Sequence, residues 1–168
     1  MTSSLADALP PRVALPAAGM PVPSYQTLYR RGQLTDPFFG PPTGRALRYL
    51  TRRGTLALAA YRAMTERGVE IAELAPADFL RWVDFWHKTR GTTGAVRELV
   101  IRYYGRPGEP DSKTSILPNT NLLATPPAPG ARLTIIFDLD EICGATERAI
   151  AALSAGPVEV YAPDDGGS

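Results

Sequence analysis

The sequence contains one cysteine, Cys143, and one histidine, His87. A lone thiol excludes an intrachain disulfide, and one Cys with one His excludes an ordinary zinc or iron–sulfur site built within a single chain. A carboxylate-only metal site is left open by that argument. The serines have no second histidine to complete a triad beside His87. His87 itself falls between Trp86 and Lys88 on the edge of an amphipathic helix, the position of a surface or capping histidine. No apolar run approaches the roughly 20 residues of a membrane-crossing helix. The start, MTSSLADALPPR, lacks a basic start followed by an apolar core, so it is not expected to be a secretory signal. Neither G-x-x-x-x-G-K-[ST] nor G-x-G-x-x-G occurs, so nucleotide binding has no loop motif behind it. Lysine is scarce: sixteen of the eighteen bases are arginine. That bias suits bidentate pairing at interfaces, and a GC-rich genome also produces it.

The 168 residues are 44% apolar and 21% charged, enough for one globular domain with a real core. Net charge is +1, but it is unevenly spread. Residues 1–106 carry fourteen Arg and Lys88 against eight acids, and residues 107–168 carry three bases against nine acids. Such polarity suits either a basic part that docks on something acidic or two halves that pack on each other.

Proline, alanine and the lack of periodicity over 1–23 predict an extended arm, and SYQTLYRRG predicts a short helix ended by Gly32. DPFFGPP, 36–42, reads as a turn-rich link anchored by its two Phe. From Thr43 as N-cap to Gly68 as stop, Ala46, Leu47, Leu50, Leu58, Tyr61 and Met64 recur at helical spacing. Gly54 falls inside that pattern at a cost of about 1 kcal/mol against Ala, which allows two shorter helices. APADFLRWVDFWHKTRG gives a further helix with Phe79, Trp82, Val83 and Trp86 on one face, ended by Gly91. Val96, Leu99, Val100 and Tyr103 then fit a second helix up to Gly105, making a helix–turn–helix across Arg90-Gly91-Thr92. RLTIIFDL reads as a strand, EICGATERAIAALSAG as a helix and PVEVYA as a strand. The fold class expected is α+β: an extended arm and short helix (1–42), a helical region (43–105), an extended linker (106–131), and a strand–helix–strand lobe with a disordered tail (132–168).

TIIFDLDEICG, 134–144, mimics the D-x-D that opens haloacid-dehalogenase-type phosphatases, with Asp138 as nucleophile and Asp140 as general acid. That chemistry needs a later cation for the phosphate and more acids for magnesium. Both lysines lie upstream, only Arg148 follows, and the residues after Asp140 are too few for the remaining strands of a doubly wound sheet. The expectation is instead that these acids cap a helix and favour its dipole. No catalytic, cofactor-binding or metal-ligating residue is assigned, and the chain is expected not to be an enzyme.

FLRWVDFWHKTRGTTGAVRELVIRYYG, 79–105, resembles a segment of the phage tail protein I family. Its members are baseplate wedge subunits of contractile phage tails and related contractile injection systems. The pattern is a helix ending in basic residues (here Lys88), then Arg90-Gly91-Thr92, a helix containing Gly94 and Leu99, and the Tyr103-Tyr104-Gly105 stop. A strand, a helix and a final strand come next in that family. This chain departs from it upstream, where 43–67 is rich in arginine and alanine, and at its end, where Gly156-Pro157 replaces a Lys-Pro-Ala type of ending. The resemblance implies a structural assembly subunit with no cofactor. Its partners would be other baseplate or tail subunits, especially a second wedge protein, with no membrane involved. It would be cytoplasmic during assembly and then part of a virion or injection particle. Phe79, Trp82, Val83 and Trp86, with Arg90, Gly91, Thr92, Tyr103 and Tyr104, are the candidate partner interface. The alternatives are another virion head or tail adaptor and a helix-turn-helix nucleic-acid binder. Against the latter, the second helix offers Arg97, Glu98 and Arg102 outward, with no Asn or Gln to read bases.

Overall fold

In a computed structural model, which describes residues 4–40, 49–66, 74–104, 113–119, 130 and 133–156, the N-terminal prolines start helices. The extended arm expected over 1–23 is therefore corrected. After a two-residue strand β1 (Ala8–Leu9), α1 runs Pro11–Ala17 and α2 runs Val22–Arg30. Each has an extended proline, Pro10 or Pro21, as its N-cap, and α1 begins on Pro11, where a missing N–H costs nothing. Each also ends on a left-handed glycine. Gly19 (φ 60°) and Gly32 (φ 67°) let Met20 and Gln33 donate back to the carbonyls of Leu15 and Leu28, at 2.8 and 3.0 Å. These are Schellman closures, which use two otherwise orphaned carbonyls apiece. Val13, Ala14, Leu15 and Ala17 of α1 are buried, and the helix packs on α3 and α5. Periodicity undervalues these residues because much of their apolar surface is made of small side chains.

A 3-10 turn, Asp36–Phe38, seats Phe38 in the core with no exposure. Strand β2 (Leu50–Thr51) pairs antiparallel with β1, and Thr51 caps α3, Arg52–Thr65. The helix expected from Thr43 thus starts at Arg52; residues 43–48 lie outside the described ones. A 3-10 turn, Pro76–Phe79, leads into α4, Leu80–Thr89. Gly91, at φ 81°, is the expected left-handed stop.

Beyond this stop the chain does not form a helix. Residues Glu98–Tyr104 form β3, the central strand of an antiparallel sheet in the order β4-β3-β5, with β4 at Lys113–Asn119 and β5 at Leu133–Asp138. The helix–turn–helix expected across Arg90-Gly91-Thr92 is therefore corrected to helix–turn–strand, and part of the expected linker is β4. The register sets Leu99 opposite Phe137, Ile101 opposite Ile135, and Val100 opposite Ile136. Leu99, Val100 and Ile101 are all buried, so both faces of β3 are covered and the strand shows an apolar run in place of alternation. Such a run fits helical and strand periods alike, and the β preference of Val, Ile and Tyr is what distinguishes them. Helix α5, Leu139–Ser154, succeeds β5 directly, as expected. The strand expected at PVEVYA lies outside the described residues. The chain is α+β, as anticipated, with helices in both halves and, among the described residues, two small antiparallel sheets.

Two glycines are needed for different reasons. A Cβ on Gly54 would lie 2.7 Å from Phe38 Cα and 2.9 Å from its carbonyl oxygen, so α3 approaches the 3-10 turn backbone to backbone. A Cβ on Gly91 would meet nothing within 4 Å, and only its φ is special. Gly54→Ala should lose about 2 kcal/mol by overpacking, after a helix-propensity gain of at most about 1 kcal/mol. Gly91→Val should lose about 1–2 kcal/mol through left-handed strain alone. Urea unfolding of both variants checks the two values.

Candidate functional site

Three of the four ion pairs among the described residues converge on the first turn of α3. Arg52 pairs with Glu147 of α5, and its Nε lies 3.8 Å from Asp7. Arg53 makes a two-point pair with Asp84 of α4, its Nε donating to Oδ1 at 2.6 Å and its second nitrogen to Oδ2. Arginine at a helix N-terminus opposes the dipole; three carboxylates from three other segments offset it. The Arg52–Glu147 pair is largely buried, with side chains 13% and 17% exposed. Glu147 Oε1 and Arg52 Nε have no hydrogen-bond partner.

Helix α4 has two opposite faces. Phe79, Trp82, Val83 and Trp86 are buried within the chain, against α3 and α5. Phe79 meets Tyr61 edge-on, with centroids 6.3 Å apart. Trp86 donates its indole N–H to Asp140 Oδ1 at 2.9 Å. Guanidinium groups cover the two indoles, Arg81 at 4.5 Å from the Trp82 ring and Arg90 at 5.2 Å from that of Trp86. Arg90, Gly91 and Thr92 are exposed at the turn, where Thr92 donates its hydroxyl to Thr89 carbonyl at 2.7 Å. Thr89 Oγ1 in turn accepts from Val96 N–H at 3.1 Å, drawing the chain back toward β3. Tyr104 is partly exposed on β3, and Tyr103 stands opposite Thr114 and Leu133 in the strand register. The four aromatic-face residues and the turn are thus brought together on α4. The two tyrosines belong to the sheet.

The other face of α4 holds Arg81, Phe85 and Lys88, at i, i+4 and i+7, all exposed. This stripe is legible as the complement of the aromatic face, but no motif in the sequence assigns it a role.

The D-x-D carboxylates hold the fold. Asp138 is the N-cap of α5 and accepts from Glu141 N–H at 2.7 Å, while Asp140 anchors Trp86. Cys143 is buried, and desolvation pushes its thiol well above the ordinary range, so the thiolate needed for nucleophilic chemistry is suppressed. Among the described residues no three His, Cys, Asp or Glu side chains converge to hold a metal ion. An open groove of about 440 Å³ lies between α2 and the end of α3, but Arg62 there is paired with Glu66. The hydroxyls of Thr27 and Thr65 in the same groove donate to carbonyls of their own helices. No helix among the described residues is long and apolar enough to cross a membrane.

No protein-family model matches this chain, and no curated protein matches it at a significant level.

His87 is held below its ordinary 6.5, first by burial and then by Arg90, with Glu147 acting in the opposite direction. Its Nδ1 is buried without a hydrogen-bond partner. Because the native chain then binds fewer protons than the unfolded one, this contribution is present above the ordinary pKa and is lost as pH falls through the folded pKa. The melting temperature should therefore drop between about pH 7 and pH 5.5 more steeply in the wild type than in His87→Phe. Parallel curves would remove His87 from the acid response.

Proposed function

We propose that the protein is a structural assembly subunit of a phage-like tail or contractile injection baseplate, a wedge component, and not an enzyme. Its partners are other baseplate or tail subunits, foremost a second wedge protein. The observation that supports a structural role is the use made of the phosphatase-like carboxylates: one caps a helix and the other holds a tryptophan. The same holds for Arg52, Arg53, Asp84 and Glu147, which fasten helix to helix.

The choice of particle rests on the pattern over residues 79–105. Its first helix, its basic end and its left-handed Gly91 are present, and a strand and a helix come further along. The second helix of that pattern is a strand here, so it lends the resemblance no support.

The aromatic face of α4 is core, which moves any docking through this helix to its outward side and to the Arg90-Gly91-Thr92 turn.

Three observations test the reading. The genes beside this one should encode sheath, tube and spike proteins. The second wedge protein encoded there, co-expressed with this chain, should co-elute with it in size-exclusion chromatography. Absence of tail genes together with separate elution would overturn the assignment. Magnesium-dependent phosphoester turnover that disappears in Asp138→Asn would overturn the non-catalytic half.

A further inference from the structure

Arg81, Phe85 and Lys88 form a stripe along the outward face of α4, and Arg90 extends its basic end. Phe85 is 45% exposed, although Phe79, Trp82 and Trp86 on the same helical segment are buried. Among the described residues none of the four ion pairs involves Arg81, Lys88 or Arg90. Arg81 and Arg90 instead lie over the Trp82 and Trp86 rings. Among the described residues the nearby acids are otherwise engaged: Asp84 by Arg53, Asp140 by the Trp86 indole N–H, and Asp78, at the start of the stripe, by the N–H of Ala75 at 2.7 Å. The result is a helical surface with one aromatic knob among three cations that form no ion pair among the described residues.

We infer that this face docks an acidic protein segment that carries an apolar anchor, with Phe85 in the anchor's contact and Arg81, Lys88 and Arg90 facing its carboxylates. The inference deepens the assembly reading only in taking the partner to be a protein; it does not depend on the particle. Charge complementarity selects an acidic occupant, and the exposed phenyl ring selects one with apolar surface. Aromatic and arginine side chains dominate the energetics of such contacts, while the surrounding charges set the rate and salt dependence of encounter. A nucleic-acid backbone fits less well, because it offers no apolar group to the exposed Phe85 ring and α4 presents no Asn or Gln to a base edge. Helix α4 is fixed by its buried face and by the Arg53–Asp84 pair, so docking needs no reordering of the surface.

The test uses the full chain and a fluorescein-labelled amphipathic peptide with glutamates on one face and leucine and phenylalanine on the other. A peptide with the glutamates replaced by glutamine and a labelled duplex DNA serve as comparators. Phe85→Ala should weaken binding of the acidic peptide about tenfold, and Lys88→Glu about as much. Lys88 is chosen over Arg81 because Arg81 also shields Trp82. Both substitutions are on the surface and should leave the melting temperature nearly unchanged, which circular dichroism verifies.

Several outcomes would overturn the inference: an acidic peptide that fails to bind, binding equal to that of the glutamine peptide, or affinity untouched by Phe85→Ala. Duplex DNA bound at least as tightly, with no dependence on Phe85, would make the stripe a phosphate-binding surface instead. Self-association of the chain that Phe85→Ala abolishes would put a second copy there. Should the peptide fail while the wedge protein still co-elutes, the docking face is wrong and the assembly reading stands.

Discussion

A helix beginning inside a protein must find partners for its first N–H groups, and α3 finds them largely in segments that are distant in sequence. Arg52 N–H donates to Asp7 carbonyl at 2.8 Å and Arg53 N–H to Leu5 carbonyl at 3.0 Å. Gly54 N–H donates to Thr51 Oγ1 at 2.9 Å, and that hydroxyl donates onward to Pro37 carbonyl at 2.6 Å. The missing side chain of Gly54 admits the Phe38 backbone to the same place. The N-terminal segment, the 3-10 turn, α4 and α5 all meet one helical turn, through backbone groups or through the two arginines. Unpaired N–H groups in such a position would each cost about 1–3 kcal/mol, so the geometry of one cap fixes the docking of four segments.

The uneven charge of the chain is explained in part by this arrangement. Arg52 from the basic part meets Glu147 from the acidic part, so the halves do pack on each other through charge. That does not account for Arg81, Lys88 and Arg90, which remain on the outside of α4. Packing between the halves and a basic outer surface therefore coexist, each using a different set of basic residues.

Local stops and starts are legible in the sequence, and long-range burial much less so. Gly32 and Gly91 are readable because a left-handed glycine after a helix is a local event. The Asp138 cap is readable for the same reason, and so is the order strand then helix over 133–154. The ELVIRYY segment mimics a helix because a strand covered on both faces has no period of its own. The α1 segment is easily undervalued, since its closure depends on Gly19 and on small side chains that count only once α3 and α5 lie over them. The aromatic stripe of α4 is legible as a stripe. Whether it faces a partner or the interior depends on Asp140, fifty-four residues from Trp86, and no local pattern carries that information.

The Arg52–Glu147 pair spans ninety-five residues of sequence. During synthesis on the ribosome, α3 emerges long before the helix that neutralises it, and α1 likewise emerges before α5 covers it. Until α5 is made, the nascent chain holds an arginine without its buried partner and an open apolar face. Contacts of such separation slow folding and prolong the exposure of sticky surface. Chains that stop short of residue 139 therefore lack the closing element altogether, and they leave the α1 face and Arg52 without the helix that covers them.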